Sequence, residues 1–342
     1  MLSTSDSDLE KAAAALAAGL LVAFPTETVY GLGADAFNTS ALAKIFEAKN
    51  RPRFDPLIIH IAEADALFRI VDPAALNDAA KERLYRLSER LWPGPLTLIL
   101  PKRAEVPGLA TAGLAAAAVR FPSHPAAQKL IRLSTGAVAA PSANPFGCLS
   151  PTRAAHVKAQ LGEKVDFIID GGRTPVGIES TVLDLSREPP RILRPGGTPR
   201  EAIEALIGPV EFPCPPSGDG PATSQENNPA PLSPGQLKSH YAPRTPLVLC
   251  RPGELAPPPD TPGERREGRL YFSAPPDMTA ENTAGTRVLS NTGDLIEAAA
   301  NLFDMLHELD SLGLDLIRAE EVPEHGLGTA INDRLRRAGK KE

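Results

Sequence analysis

Three cations stand close together in "AKNRPRFDPLIIHI", residues 48–61: Lys49, Arg51 and Arg53, with Pro52 among them. They lead into an apolar run that carries one histidine, His60. Lys49 and Arg51 close a helical pattern over 38–50, where a cation complements the helix dipole. That accounts for one of the three. Pro52 ends the helix and stiffens the turn. A rigid group of Lys and Arg at a strand mouth suits a polyanion such as a triphosphate. Both readings, dipole partner and anion site, stand at this point. In "PLIIHI", alternation puts Leu57, Ile59 and Ile61 on one face and Ile58 with His60 on the other. A lone strand histidine is more often structural, and no metal-ligand spacing surrounds it.

Further polar groups collect at other strand ends. "FPTETVYGLGADA" (24–36) offers the hydroxyls of Thr26, Thr28 and Tyr30. Its Gly31 and Gly33 read as a tight structural turn, because neither GxxxxGK[ST] nor GxGxxG is present. "AVAAPSANPFGCLSPT" (137–152) presents Ser142, Asn144 and Ser150 from turns stiffened by Pro141 and Pro145. Arg120 ends "AAAAVRF" on the same face as Ala116 and Ala118, which reads equally as a groove floor or a structural ion pair. Ser180 and Thr181 open "STVLDL", and Arg194 ends "RILRPG". Acids are few here: Glu27, Asp55 and Glu179. No Ser-His-Asp arrangement, catalytic carboxylate pair or reactive cysteine setting appears. The inventory fits a site that orients anionic substrates and stabilises charge at phosphorus.

These groups need a scaffold, and the periodicities supply one. "LLVAF", "PLIIHI", "LTLIL", "AAAAVRF", "AVAAP", "VDFIID", "STVLDL" and "RILRPG" read as strands. Helices are expected at about 8–18, 38–50, 79–91, 124–133 and 152–161. "TPREAIEALIG" predicts one more, with Thr198 as N-cap, Pro199 at N1, Glu201 closing a capping box and Gly208 at the end. The expected class is α/β, one large twisted mixed sheet with helices. Residues 211–235 hold seven prolines in 25 residues and almost no aliphatics, so a linker is expected there. Beyond it the pattern is β, β, β, helix, β, helix: a small α/β unit without a deep site of its own. The long helix in it carries Leu295, Ala298, Leu302, Met305, Leu306 and Leu309 along one stripe. The division expected is 1–210, a linker over 211–244, and 245–342.

Bulk properties narrow the function classes. Net charge is −6 and the isoelectric point about 5.7, which speaks against a protein that holds nucleic acid by bulk electrostatics. Cys148, Cys214 and Cys250 show no paired spacing, so neither zinc nor a disulfide framework is expected. The N-terminal run lacks the basic start of a signal peptide, and no stretch approaches the ~20 apolar residues of a membrane span. A cytosolic protein is expected.

In order along the chain, "FPTETVYGLGADA", "KNRPRFDPLIIHI", "LWPGPLTLIL", "VRFPSHP", "APSANPFGCLSPT", "GGRTPVGIESTVLDL" and "ILRPGG" resemble the YrdC-type domain of L-threonylcarbamoyladenylate synthases. "SPGQLKSHYAP" (233–243) and "GLGTAINDRLRRA" (326–338) resemble the linker and C-terminal domain of the two-domain form. The resemblance implies a YrdC-like fold with a Rossmann-like C-terminal domain. It also implies synthesis of threonylcarbamoyl-AMP from L-threonine, bicarbonate and ATP, with Mg²⁺ carried by ATP. The family's Lys-x-Arg and Ser-x-Asn pairs fall on Lys49, Arg51, Ser142 and Asn144, as catalytic and ATP-binding positions. Further nucleotide contacts fall on Asp55, Ser150, Arg194 and Tyr241, with His240-Tyr241 folding over the nucleotide. L-threonine positions fall on Thr28, His60, Arg120 and Ser180. Asp55 departs from a frequent Asn, and a carboxylate beside triphosphate is unfavourable unless Mg²⁺ lies between. The implied partner is a transferase that moves the threonylcarbamoyl group to adenosine 37 of tRNA. Weak direct tRNA contact stays open, no membrane is involved, and a monomer is expected. Carbamoyl transfer, an RNA-binding module and a nucleotide sensor are the competing readings.

Overall fold

A computed structural model describes residues 1–212, 240–255, 266–275 and 285–339. Most of the 211–235 segment and the start of "SPGQLKSHYAP" lie outside these residues. Apolar alternation and short loops produce nine strands in the first unit: β1 (Val22–Phe24), β2 (Gly31–Asp35), β3 (Ile58–Ile61), β4 (Leu96–Pro101), β5 (Ala116–Arg120), β6 (Ala137–Ala139), β7 (Phe167–Ile168), β8 (Thr181–Asp184) and β9 (Arg191–Arg194). They form one mixed sheet in the order β7-β1-β2-β6-β3-β5-β4-β8-β9. Six helices pack on it: α1 (Asp6–Ala17), α2 (Thr39–Lys49), α3 (Asp78–Leu91), α4 (Pro125–Leu133), α5 (Ala154–Leu161) and α6 (Arg200–Ile207).

The period-two pattern sorts the faces as expected. Leu57, Ile59 and Ile61 enter the main core with Leu42, Ile45 and Phe46 of α2. Ile58 joins Ala118, Val182 and Leu193 in a small cluster on the opposite face. That second face is open enough to carry polar side chains, and the site forms there.

Two local expectations are corrected. Residues 31–35 are a strand, not a turn: β2 pairs antiparallel with β1 and β6. Its glycines serve packing. A Cβ on Gly33 would lie 2.8 Å from the Phe24 ring and 2.9 Å from Val138. Nor does Thr198 cap α6. The helix starts at Arg200 after Pro199 with no side-chain cap, because Thr198 is tied to the Thr181 hydroxyl through both its N–H (3.1 Å) and its carbonyl (2.6 Å). Glu201 instead accepts from the Gly326 N–H.

The second unit is a parallel four-stranded sheet, β10 (Leu247–Cys250), β13 (Leu316–Glu320), β11 (Glu267–Tyr271) and β12 (Thr286–Val288) in that spatial order. It is backed by α7 (Leu295–Ser311) and α8 (Gly328–Ala338). Its core is not self-contained: Val29, Leu149 and Ile178 of the first unit share one apolar cluster with Phe303 of α7 and Tyr241. Gly177 meets α7 so closely that a Cβ would lie 2.5 Å from the Ala299 carbonyl. Asp304 of α7 pairs with Arg153 at 2.7 Å and Arg173 at 3.4 Å. Among the described residues no helix is long and apolar enough to cross a membrane.

Candidate active site

The site lies on the polar face of the large sheet, where strand ends converge. β3 brings His60 and β5 brings Arg120 into direct parallel register. β4 sets Thr97 opposite Arg120, and the residue before β8 is Ser180. β9 ends on Arg194. His60, Arg120, Ser180 and Arg194, with Thr28, Arg51 and Ser142, line one cleft, and His240 and Tyr241 close it. The space left is about 40 Å³, room for a few waters where one needs ~10–15 Å³.

Each acid singled out in the sequence is held by an arginine. Glu27 Oε1 lies 2.7 Å from Arg120 Nη2. Asp55 Oδ2 lies 2.9 Å from Arg51 Nη2. Glu179 Oε2 lies 3.0 Å from Arg334 Nε. The Arg51–Asp55 pair is positioned by the turn after α2, whose end at Asn50 is left-handed (φ 52°). Arg51 also donates to the Pro56 carbonyl at 2.7 Å. Burial raises the Asp55 pKa above the ordinary carboxylate value against the pull of Arg51 and Lys49.

The opening cluster divides. Arg51 faces the cleft. Lys49 is buried behind it, donating to the carbonyls of Ser142, at 2.6 Å, and Asn144. Burial and the Arg51 charge push its pKa well down. Lys49 therefore ties α2 to the 142–144 loop. Asn144 does the same from within, donating to the Pro145 and Cys148 carbonyls. Arg53 is exposed and is absent from the cleft lining, which corrects its place in the anion group: it sits at the outer edge of the turn, where the chain points its side chain to solvent.

The hydroxyls form a directed network. Thr26 Oγ1 donates to the Val29 carbonyl at 2.6 Å, so it accepts from Thr28 Oγ1 at 2.9 Å. Thr28 in turn accepts from Arg120 Nη1 at 2.9 Å. Toward a ligand Thr28 keeps only a lone pair, so it calls for a donor. Ser180 Oγ lies 2.7 Å from Thr97 Oγ1 and accepts from Arg194. His60 Nδ1 lies 3.2 Å from the Ile58 carbonyl. Burial and the Arg120 charge hold its pKa down at about 3, so the ring is neutral. Ser150 donates to Glu179 Oε1.

Two residues were missed in the sequence. Thr97 had a signal: alternation in "LTLIL" puts its hydroxyl on the site face. Arg334 had none outside the resemblance, because it reaches the site from α8. Its side chain is fully buried, donates to the Pro195 carbonyl and lies 5.2 Å from the Tyr241 ring centre.

Comparison with known proteins adds to this geometry. Residues 14–196 match a family model described as telomere recombination (Sua5, YciO, YrdC), and residues 198–339 match the threonylcarbamoyl-AMP synthase C-terminal domain. The chain is 42% identical to a threonylcarbamoyl-AMP synthase of Bacillus subtilis, over 98% of this chain and 94% of the relative. It is also 42% identical to one of Pyrococcus abyssi, over 94% and 90%. A solved structure of P. abyssi Sua5 complexed with L-threonine superposes with a TM-score of 0.82 at 38% identity, covering 99% of this chain and 97% of that one.

Proposed function

The chain belongs to the threonylcarbamoyl-AMP synthase family, and from that premise we propose how its residues divide the work. The enzyme is a nucleotidyltransferase. It joins L-threonine, bicarbonate and ATP into L-threonylcarbamoyl-AMP and pyrophosphate, the first step of threonylcarbamoyladenosine formation at position 37 of ANN-decoding tRNAs. The non-catalytic readings, RNA module and nucleotide sensor, fall away.

The chemistry has two parts. Threonine's ammonium and bicarbonate give a carbamate, one water and one proton. A carbamate oxygen then bonds to the α-phosphorus of ATP as the bond to pyrophosphate breaks. Charge grows on the phosphoryl oxygens and the leaving group, where fixed cations act most strongly in a dry cleft. Arg51 and Arg194 supply that charge. Ser142 faces the same space, and Lys49 with Asn144 hold its loop. Ser150 and Tyr241 complete the nucleotide contacts.

Arg120 takes threonine's carboxylate, since a guanidinium matches two oxygens at once. Thr28 accepts from the substrate's amine or hydroxyl, as its own proton already points to Thr26. Neutral His60 and Ser180 complete the threonine end. Mg²⁺ arrives with ATP as part of the substrate, held through the phosphates. Asp55 turns to Arg51, which keeps its carboxylate from facing triphosphate bare.

The observation that carries this reading is the convergence of Arg51, Arg120 and Arg194 on one cleft plugged by His240 and Tyr241. The plug is a gate formed by the segment between the two units. A soluble cytoplasmic monomer that hands its product to a separate transferase fits the reading. Pyrophosphate release from ATP and bicarbonate, with L-threonine omitted or added, tests it. Strong dependence on threonine, with serine much weaker, is expected. Release that ignores threonine would defeat it. Tyr241→Ala should leave the cleft open and weaken nucleotide retention; unchanged ATP affinity would remove the gate.

A further inference from the structure

Glu27 is a buried carboxylate that the mechanism above does not use. It is 5% exposed and sits between Thr26 and Thr28, both of which line the cleft. Neither of its oxygens accepts a hydrogen bond among the described residues. Its partner is charge: Arg120 Nη2 at 2.7 Å, with both side chains almost fully buried. His124 also feels its field, but burial lowers the pKa of that ring. His60, beside Arg120, is neutral. At Arg120 the cleft therefore carries one positive and one negative charge, in contact, in a dry setting, and the next charge is Arg194, which donates to Ser180.

A buried ion pair is weak evidence for stability, because desolvation opposes the attraction. A lone arginine would grip a carboxylate more strongly than one already paired. The pairing makes sense if the ligand is not a plain anion. A subsite of net zero charge favours a ligand of net zero charge, and an amino acid zwitterion carries one charge of each sign. We infer that Glu27 is a specificity-determining residue that makes the Arg120 subsite select the zwitterionic amino acid over carboxylates lacking the amine. Glu27 acts through Arg120 and through its field, without contact to the substrate. The inference rests on the reading that Arg120 takes threonine's carboxylate.

Calorimetric binding tests it, with L-threonine and its des-amino analogue (R)-3-hydroxybutanoate as ligands. The wild-type protein should bind L-threonine at least ~10-fold more tightly. Glu27→Gln should narrow that ratio by ~10-fold or more. Glu27→Asp, which keeps the charge, should stay near the wild-type ratio. If Glu27→Gln weakens both ligands alike, Glu27 only supports the fold and the inference is overturned. Should Glu27→Gln fail to fold, the wild-type protein still decides. L-Threonine amide, a cation, and 3-hydroxybutanoate, an anion, should both bind at least ~10-fold more weakly than L-threonine. An anion that binds as well as threonine overturns the inference. Arg120→Lys separates the two levels. If it leaves threonine affinity unchanged, the Arg120 reading itself fails; if it weakens threonine while Glu27→Gln leaves the ratio alone, only the inference fails.

Discussion

Replacing Arg334 by Met should unlock the C-terminal unit from the active site. The arginine is fully buried and reaches from α8 to Glu179 at 3.0 Å and to the Pro195 carbonyl, with its guanidinium over Tyr241. Methionine fills much of the volume but leaves the Glu179 carboxylate, 7% exposed, without its main counter-charge. Breaking a buried pair from one side costs about 3–5 kcal/mol. Arg194 and the Ser150 hydroxyl still face Glu179, so a loss of about 3 kcal/mol is expected. Glu179→Gln added to Arg334→Met should recover part of it, with a coupling of about 1–3 kcal/mol. The assay is urea unfolding followed by circular dichroism, with pyrophosphate release measured in parallel. The pH dependence gives a second readout. Burial pushes the Glu179 pKa up, but Arg334, Arg194 and Ser150 outweigh it and hold it below the ordinary value. A carboxylate lowered on folding stabilises above its unfolded pKa, and that stability fades as pH falls through the folded value. Arg334→Met should shrink this acid-range slope. A loss under about 1 kcal/mol, or strictly additive single and double variants, would refute the reasoning.

Three shorter predictions accompany it. Lys49→Ala strips the donor from the Ser142 and Asn144 carbonyls; pyrophosphate release should drop by ~100-fold or more while circular dichroism stays near native, and near-normal release would contradict the loop-holding role. Gly177→Ala puts a methyl 2.5 Å from the Ala299 carbonyl at a φ of +76°; the C-terminal unit should become protease-sensitive while the fluorescence of Trp92, in the first unit, is unchanged, and wild-type protease resistance would count against it. His156 stacks on His307 across the two units at 3.9 Å, and burial with the His307 charge lowers its pKa from 6.5 to about 4. The unfolded chain therefore protonates first as pH falls, so this stability is full above 6.5 and declines toward 4. His156→Gln should flatten melting temperature against pH in that window by up to one proton, and an unchanged slope would dismiss the contribution.

Much of this protein was legible in its sequence because local patterns report local physics. The period-two runs located eight of the nine strands of the first sheet, and the helical pattern over 38–50 is α2. Alternation alone set Ile58 and His60 against Leu57, Ile59 and Ile61, and Arg120 with Ala118. Ordered motifs identified the family. Failures came where a distant partner overrides a local rule. Gly31 and Gly33 read as a turn, yet β2 needs them small because Phe24 and Val138 press against its backbone. Thr198 reads as a cap, yet the Thr181 hydroxyl claims it. Lys49, Arg51 and Arg53 read as one cluster, but only the fold could assign one to the cleft, one to a loop behind it and one to solvent. The pairing of Glu27 with Arg120 spans 93 positions, and that of Glu179 with Arg334 spans 155. No spacing rule connects such residues, because an ion pair depends on distance in space and on the exclusion of water, and both are set by packing after the chain has closed on itself.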